Sequence, residues 1–383
     1  MDNRRIALVN TTIHVPRGLE GYLENARKYG YEKNVISIVV GDRKTPPEAA
    51  TFLTGLKERF QSKIIYLDLR DQLLFMRQWP AFDIVARYDS IERRNIGYLK
   101  AALENAEVII SIDDDNYVVE NNYIGSHLIV DKEVELPVVS HPSGWWNICE
   151  TLVNDPPRRF YPRGYPKSKQ DFKKNEHQVE RKRMRIKVNE GLWLKNPDVD
   201  ATANIEEPLN VVRMEPLLGE ESFALELGTW CSINSQNTAF AIDTLPVMYL
   251  IMMGGFFRGY RMGRYDDIWM GYFLRAIADQ LNDTVSYGAP LVKQERNPHH
   301  LVKDISEELG GYILTEWIIE KLRSFKTTEK DYLGAYLDLI YYLRNTIESD
   351  DSLNFHENEY LRSVTIGMVA WYDAVRDILQ AGS

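Results

Sequence analysis

Short β-branched apolar runs alternate with stretches of helical spacing through the first third of the chain. Arg5 to Val9, Asn34 to Val40, Lys63 to Leu67 and Val108 to Ile112 are bounded by polar turns and read as buried strands. Between them, Gly18 to Tyr29, a segment ending at Arg59, and Ser90 to Asn105 carry apolar residues at helical spacing. Such alternation predicts an α/β fold with a mainly parallel central sheet covered by helices. Ligands of these sheets sit outside the carboxyl ends of the strands. Polar groups fall at those ends: Asn10-Thr11-Thr12 after the first run, Asp42 after the second, and Asp113-Asp114-Asp115 after the fourth.

The pattern changes after Pro156. Up to Lys187 the chain is rich in Arg and Lys, interrupted by Pro162, Gly164 and Pro166, which predicts a loop followed by a partly helical, solvated segment. Asn189 to Leu194 and Ala224 to Ile233 read as further strands, and Gly254 to Tyr260 as a backbone-permissive aromatic loop. Ile268 to Asn282 has the spacing of an amphipathic helix, which puts Asp266 and Asp267 at its N-terminus, where the helix dipole favours carboxylates. Ile305 to Phe325, Glu329 to Ser349 and Glu357 to Gln380 are helical. The expected organisation is a catalytic region over 1–303 and a helical C-terminal region over 304–383, with the latter packing on the catalytic region or on another copy.

Composition narrows the function classes. The 383 residues are 44% hydrophobic and 27% charged with a net charge of −10, an ordinary globular balance that argues against nucleic acid as the main partner. The two cysteines, Cys149 and Cys231, make neither a disulfide framework nor a zinc spacing. No apolar run has the length of a signal peptide core or a membrane span, so a cytoplasmic protein without a transmembrane segment is expected.

Three adjacent carboxylates repel one another unless positive charge sits among them. A divalent cation carrying a phosphorylated ligand meets that need, and a solvated acidic turn capping a core strand is the plainer reading. Arg93 and Arg94 lie near the start of a helix, where cations oppose the dipole; a phosphate contact explains them as well as an exposed pairing with Glu92 does. Asp42 suits a base or ribose contact. Two separated acidic clusters, Asp113 to Asp115 and Asp266-Asp267, fit a Mn²⁺- or Mg²⁺-dependent reaction of a nucleotide diphosphate compound. A strand ending Asp-x-Asp also opens haloacid dehalogenase-type phosphatases, but there it is normally the first strand, whereas here four elements precede it.

Ile112-Asp113-Asp114-Asp115, Arg163-Gly164-Tyr165-Pro166, Gly191-Leu192-Trp193-Leu194 with Pro197-Asp198 and Asp200-Ala201, Gly263-Arg264-Tyr265-Asp266-Asp267-Ile268-Trp269, and Asn297-Pro298 occur in the order seen in the reversibly glycosylated polypeptides. The chain resembles that family, which includes the UDP-arabinopyranose mutases, over roughly residues 35 to 320. The resemblance implies a glycosyltransferase-A fold and a nucleotide-sugar substrate, acted on by a mutase, a self-glycosylating protein or a transferase with a separate acceptor. A non-catalytic nucleotide-sugar-binding assembly partner is the alternative of another class. The resemblance further implies that Asp113 and Asp115 bind the metal and that Asp114 holds the sugar nucleotide. Arg163 matches the arginine that becomes glycosylated, Asp266 and Asp267 the acidic pair near the sugar, and Arg264 is a substrate-binding candidate beside them. Two departures stand out. Gln294-Glu295-Arg296 replaces a His-Ser-Lys before the Asn-Pro, leaving His299 or His300 as the candidate third metal ligand, and Asn116 replaces a cysteine after the triplet.

Overall fold

A computed structural model describes residues 2–170, 176–205, 207–295 and 300–381. The four early apolar runs form strands β1 (Ile6–Thr12), β2 (Val35–Gly41), β3 (Lys63–Leu67) and β4 (Val108–Ile112). They stand side by side in the order β3-β2-β1-β4, all parallel. Every residue of β2 and β4 is buried, which is why both read as unbroken apolar runs rather than as alternation. Their connections run through α1 (Gly18–Lys28), α2 (Glu48–Phe60), α3 (Leu69–Met76), α4 (Pro80–Val85) and α5 (Arg94–Leu103), and α5 packs across β1 and β2.

Beyond β4 the sheet is mixed, not mainly parallel. The remaining elements are β5 (Asn116–Val118), α6 (Tyr123–His127), β6 (Lys132–Ser140), β7 (Leu152–Asn154), β8 (Gln178–Lys195), β9 (Val211–Met214), β10 (Phe223–Leu225) and β11 (Asn237–Ala241). They are followed by β12 (Phe256–Phe257), β13 (Tyr260–Arg261), α7 (Asp266–Leu281) and β14 (Thr284–Gln294). β11 runs antiparallel to β4, and β8 antiparallel to β11 and β6. β8 also pairs with β14 in parallel. Strands β12 and β13 form a ribbon of their own.

The late part of the basic block is strand rather than helix. From Gln178 to Arg185 β8 pairs along β6, with side chains such as Arg181, Arg183 and Arg185 exposed, and from Ile186 to Trp193 it is wholly buried. The expected strand at Ala224 to Ile233 shrinks to β10, after which the chain crosses the interior as buried loop up to β11. Residues 171–175 of the block lie outside the described residues.

Three helices complete the described chain: α8 (Leu301–Ser324), α9 (Tyr332–Ser349) and α10 (Phe355–Ala381). Their apolar faces join the same core as the sheet. Trp371 packs against Phe82 with ring centroids 5.3 Å apart, and its indole N–H donates to the Pro246 carbonyl at 2.9 Å. Tyr332 donates to the Asp283 carboxylate at 2.9 Å. The sequence division at residue 303 falls inside α8. No helix among the described residues is long and apolar enough to cross a membrane.

Candidate functional site

The carboxyl ends of β1, β2 and β4 open onto two joined hollows. One, of about 240 Å³, is lined by Thr11, Thr12, Asp42, Arg94 and Asp114. The other, of about 280 Å³, is lined by Arg87, Asp115, Arg163, Asp198, Arg261, Arg264, Asp266, Asp267 and Glu307. Asp89, Ser90, Ile91 and Asp113 belong to both, so Asp113 stands where they meet.

Each acid of the triplet has a different surrounding because β4 ends there and the chain turns. Asp113 is gripped by the buried guanidinium of Arg94. Burial pushes its carboxyl above the usual carboxylate range, and Arg94 offsets only part of that rise. Asp114 accepts a 2.6 Å hydrogen bond from the Thr12 hydroxyl at the end of β1. Asp115 faces the larger hollow. Arg94 also donates to the Ser235 carbonyl at 3.0 Å, and Ser235 in turn donates from its N–H to Asp267 at 3.1 Å. Triplet and helix-start acids are thus linked through one buried arginine and one serine.

Arg163 is the centre of the second cluster. Its Nε reaches both oxygens of Asp198 at 3.0 and 3.1 Å, and Nη2 both oxygens of Asp267 at 2.9 and 3.0 Å. Nη1 donates to the Arg264 carbonyl. Burial disfavours this cation, but Asp198 and Asp267 outweigh that cost and hold it charged well above the usual range. Burial also opposes charge on Asp267, yet Arg163 keeps its carboxyl below the ordinary value. Asp266 goes the opposite way: burial and the adjacent Asp267 charge push it well up. Two carboxyls that are neighbours in sequence, one pushed towards its protonated form and the other towards its charged form, therefore line the same wall.

The backbone that presents Arg163 is tightly specified. Tyr165 N–H bonds to the Pro162 carbonyl at 3.1 Å, closing a turn in which Gly164 has φ +73°. Gly164 N–H donates to Asp200 at 2.9 Å, and Tyr272 of α7 donates to its carbonyl at 2.9 Å. Arg264, at φ +61°, is held by Glu308 of α8 at 2.8 Å. Glu308 also accepts from the Ala201 N–H at 2.8 Å and the Tyr312 hydroxyl at 2.7 Å.

Of the residues singled out by sequence, Asp42, Arg94, Asp113, Asp114, Asp115, Arg163, Arg264, Asp266 and Asp267 line the joined hollows. Arg93 does not. It is fully buried, donating to the Gln72 side chain at 2.6 Å and the Ala86 carbonyl at 2.7 Å beneath the Tyr88 ring, so it braces α3 and α4 rather than facing a ligand. His299 and Asn297-Pro298 lie outside the described residues, and His300 caps α8 by accepting from the Lys303 N–H. Sequence reasoning did not select Arg87, Ser90, Asp198, Arg261 and Glu307 as site residues. Asp198 stood in a quoted motif; the others carry no local signal, because tertiary packing alone brings them to the cleft.

The donors suit a hard cation in part. Asp113 and Asp115 offer carboxylate oxygens to one hollow, which fits an ion that takes one or two protein carboxylates and completes its shell with water and substrate phosphate. Among the described residues no group of three or more His, Cys, Asp or Glu is placed to enclose a metal, so a closed all-protein cage does not fit.

The family profile described as "Reversibly glycosylated polypeptide" matches residues 80–378. UDP-arabinopyranose mutase 3 of Arabidopsis thaliana is 26% identical over 300 residues, covering 75% of this chain and 72% of that protein. A probable UDP-arabinopyranose mutase 2 of Solanum tuberosum is 26% identical over 303 residues, covering 76% and 72%. Among solved structures, a mannosyltransferase from Pyrobaculum calidifontis in complex with GDP-Man and Mn²⁺ overlaps 97% of this chain and 86% of its own at 9% identity, with a TM-score of 0.36. That overlap is too loose to place a ligand.

Proposed function

We propose a function from one premise: the chain belongs to the reversibly glycosylated polypeptide family. It is an enzyme of nucleotide sugars that binds a UDP-sugar across the joined hollows and interconverts the ring forms of its sugar. The observation that carries this reading is the wall of the larger hollow, where the Arg163 cation, the Asp267 carboxylate that it grips and the Asp266 carboxyl that burial pushes towards its protonated form stand side by side.

The nucleoside lies over Thr11, Thr12 and Asp42, and the diphosphate lies towards Asp113, where the hollows meet. Converting a pyranose to a furanose breaks the C1–O5 bond, forms C1–O4 and moves one proton from O4 to O5. Asp266, whose carboxyl burial and the Asp267 charge push towards the protonated form, gives a proton to O5 and takes the one from O4. The diphosphate leaves C1 with the bonding electron pair, O4 bonds to C1 before C1–O5 breaks, and the diphosphate oxygen then returns to C1, while Arg163 with Arg87 offsets the charge on the departed diphosphate. A Mn²⁺ or Mg²⁺ ion held by Asp113 and Asp115 would add positive charge at that diphosphate.

Arg163 serves here as an anchor. A nucleophilic guanidine must be neutral, and two carboxylates stabilise this one as a cation. The test is incubation with UDP-arabinopyranose and other UDP-sugars, with and without Mn²⁺, followed by chromatography of the nucleotide sugars and intact-protein mass. Ring interconversion of at least one donor, lost in Asp113→Ala, is the expected result. A sugar-sized mass gain on Arg163 would overturn its anchoring role, and absence of both binding and conversion would overturn the whole reading.

A further inference from the structure

The β12–β13 ribbon stands at the lip of the larger hollow. Gly254 N–H bonds to the Met262 carbonyl at 2.6 Å, and Met262 N–H to the Gly255 carbonyl at 2.8 Å, so the two stems are clasped where Met253, Gly254, Met262 and Gly263 line the cleft. The ribbon is fixed from outside as well. Arg258 pairs with Glu357 of α10 at 2.7 Å, and the Gly263 N–H donates to the Glu307 carbonyl of α8 at 3.0 Å. At Gly254, φ +87°, a side chain would collide with the Arg87 guanidinium, which itself lines the hollow.

Phe256 pairs across the ribbon with Arg261. Directly opposed residues leave a two-stranded ribbon on the same face. Arg261 lines the hollow, and Phe256, its partner across the ribbon, is 72% exposed beside it. Arg261 is already balanced: Glu307 lies 3.6 Å from its guanidinium, and Lys303 reaches the same carboxylate at 3.9 Å. The lip therefore offers an open aromatic face flanked by donors and acceptors of mixed sign. That chemistry does not suit a second phosphate, which would call for unbalanced cations. It suits the apolar C–H face of a pyranose ring with its hydroxyls turned to the flanks.

We propose that Phe256, Arg261 and Glu307 form a subsite for a neutral carbohydrate distinct from the nucleotide sugar, with its ring stacked on Phe256 at the mouth of the cleft. The subsite rests on the nucleotide-sugar reading, because it supplies a second sugar to that cleft.

Titration of the full chain with UDP, then with cellotetraose, xylotetraose and maltotetraose in the presence and absence of UDP, tests both ideas separately. Absence of UDP binding counts against the nucleotide-sugar reading alone. The subsite requires that at least one tetraose bind, that Phe256→Ala weaken it about tenfold, and that Phe256→Tyr, which keeps the ring, restore it. Because Phe256 is so exposed, its replacement leaves the fold intact, which circular dichroism checks. Binding of no tetraose, or equal binding by Phe256→Ala, overturns the subsite; a protein partner on the ribbon would give that second outcome.

Discussion

Asp266 and Asp267 are chemically identical neighbours made different by what reaches them. Asp267 meets Arg163 and the Ser235 N–H, whereas Asp266 accepts from the N–H of Asp267 itself at 2.8 Å. Replacing a carboxyl that burial already pushes towards its neutral form with its amide changes little, whereas removing one partner of a buried ion pair strands charge. In urea unfolding at pH 7, Asp266→Asn is expected to cost under about 1 kcal/mol and Asp267→Asn about 3 kcal/mol. Equal losses would mean that both are charged. Asp266→Asn should nevertheless stop ring interconversion, since the amide cannot give up a proton. The sequence named both acids and Arg163 but could not assign their charges. Those depend on Asp198 and Ser235, which stand 35 and 141 residues away from Arg163 and Arg94 along the chain.

At the scale of elements, the first four strands were legible because burial on both faces leaves continuous apolar runs. The second half of the sheet was not. Asn237 to Ala241 has little β-branched character and is a strand because β4 and β8 flank it, while Gln178 to Arg185 looks like a solvated basic segment and is fixed as strand by β6. Turn chemistry was more telling, as Arg163-Gly164-Tyr165-Pro166 shows. A Cβ on Gly164 would lie 2.3 Å from Cγ2 of Ile268 in α7, at a left-handed φ. Gly164→Ala is expected to lower stability by about 2–4 kcal/mol and to move Arg163 off its carboxylates, so that UDP-sugar binding weakens as well. Chemical denaturation and calorimetric titration of the variant check both effects, and an unchanged unfolding midpoint would show that the turn can adjust.

Across the whole molecule, one histidine ties α6 to two neighbouring strands of the sheet, β11 and β8. His127 is fully buried, its Nε2 3.1 Å from the Asn237 side-chain oxygen and its Nδ1 2.9 Å from the Asn189 amide nitrogen. Burial pushes its pKa down to about 3, against 6.5 when unfolded. The unfolded chain therefore binds the proton first as pH falls. The stability from keeping this ring neutral is complete above about pH 6.5 and declines by about 1.4 kcal/mol per unit down to about pH 3. Between pH 7 and pH 5 the wild type should lose about 2 kcal/mol from this group, a loss that His127→Gln would not show in parallel urea titrations.

The clasp between Arg258 and Glu357 also has a bearing on the order of synthesis. The strands that carry Asp42 and the acidic triplet leave the ribosome early and can pair as they emerge, since β1 to β4 neighbour one another in space and follow closely in sequence. The Arg258 anchor of the ribbon at the mouth of the cleft has to wait for α10, which is made after every strand of the sheet. A nascent chain halted before α10 would already hold the triplet, Arg163 and the acids at the start of α7, while the ribbon at the mouth of their cleft still lacked one of its two outer anchors.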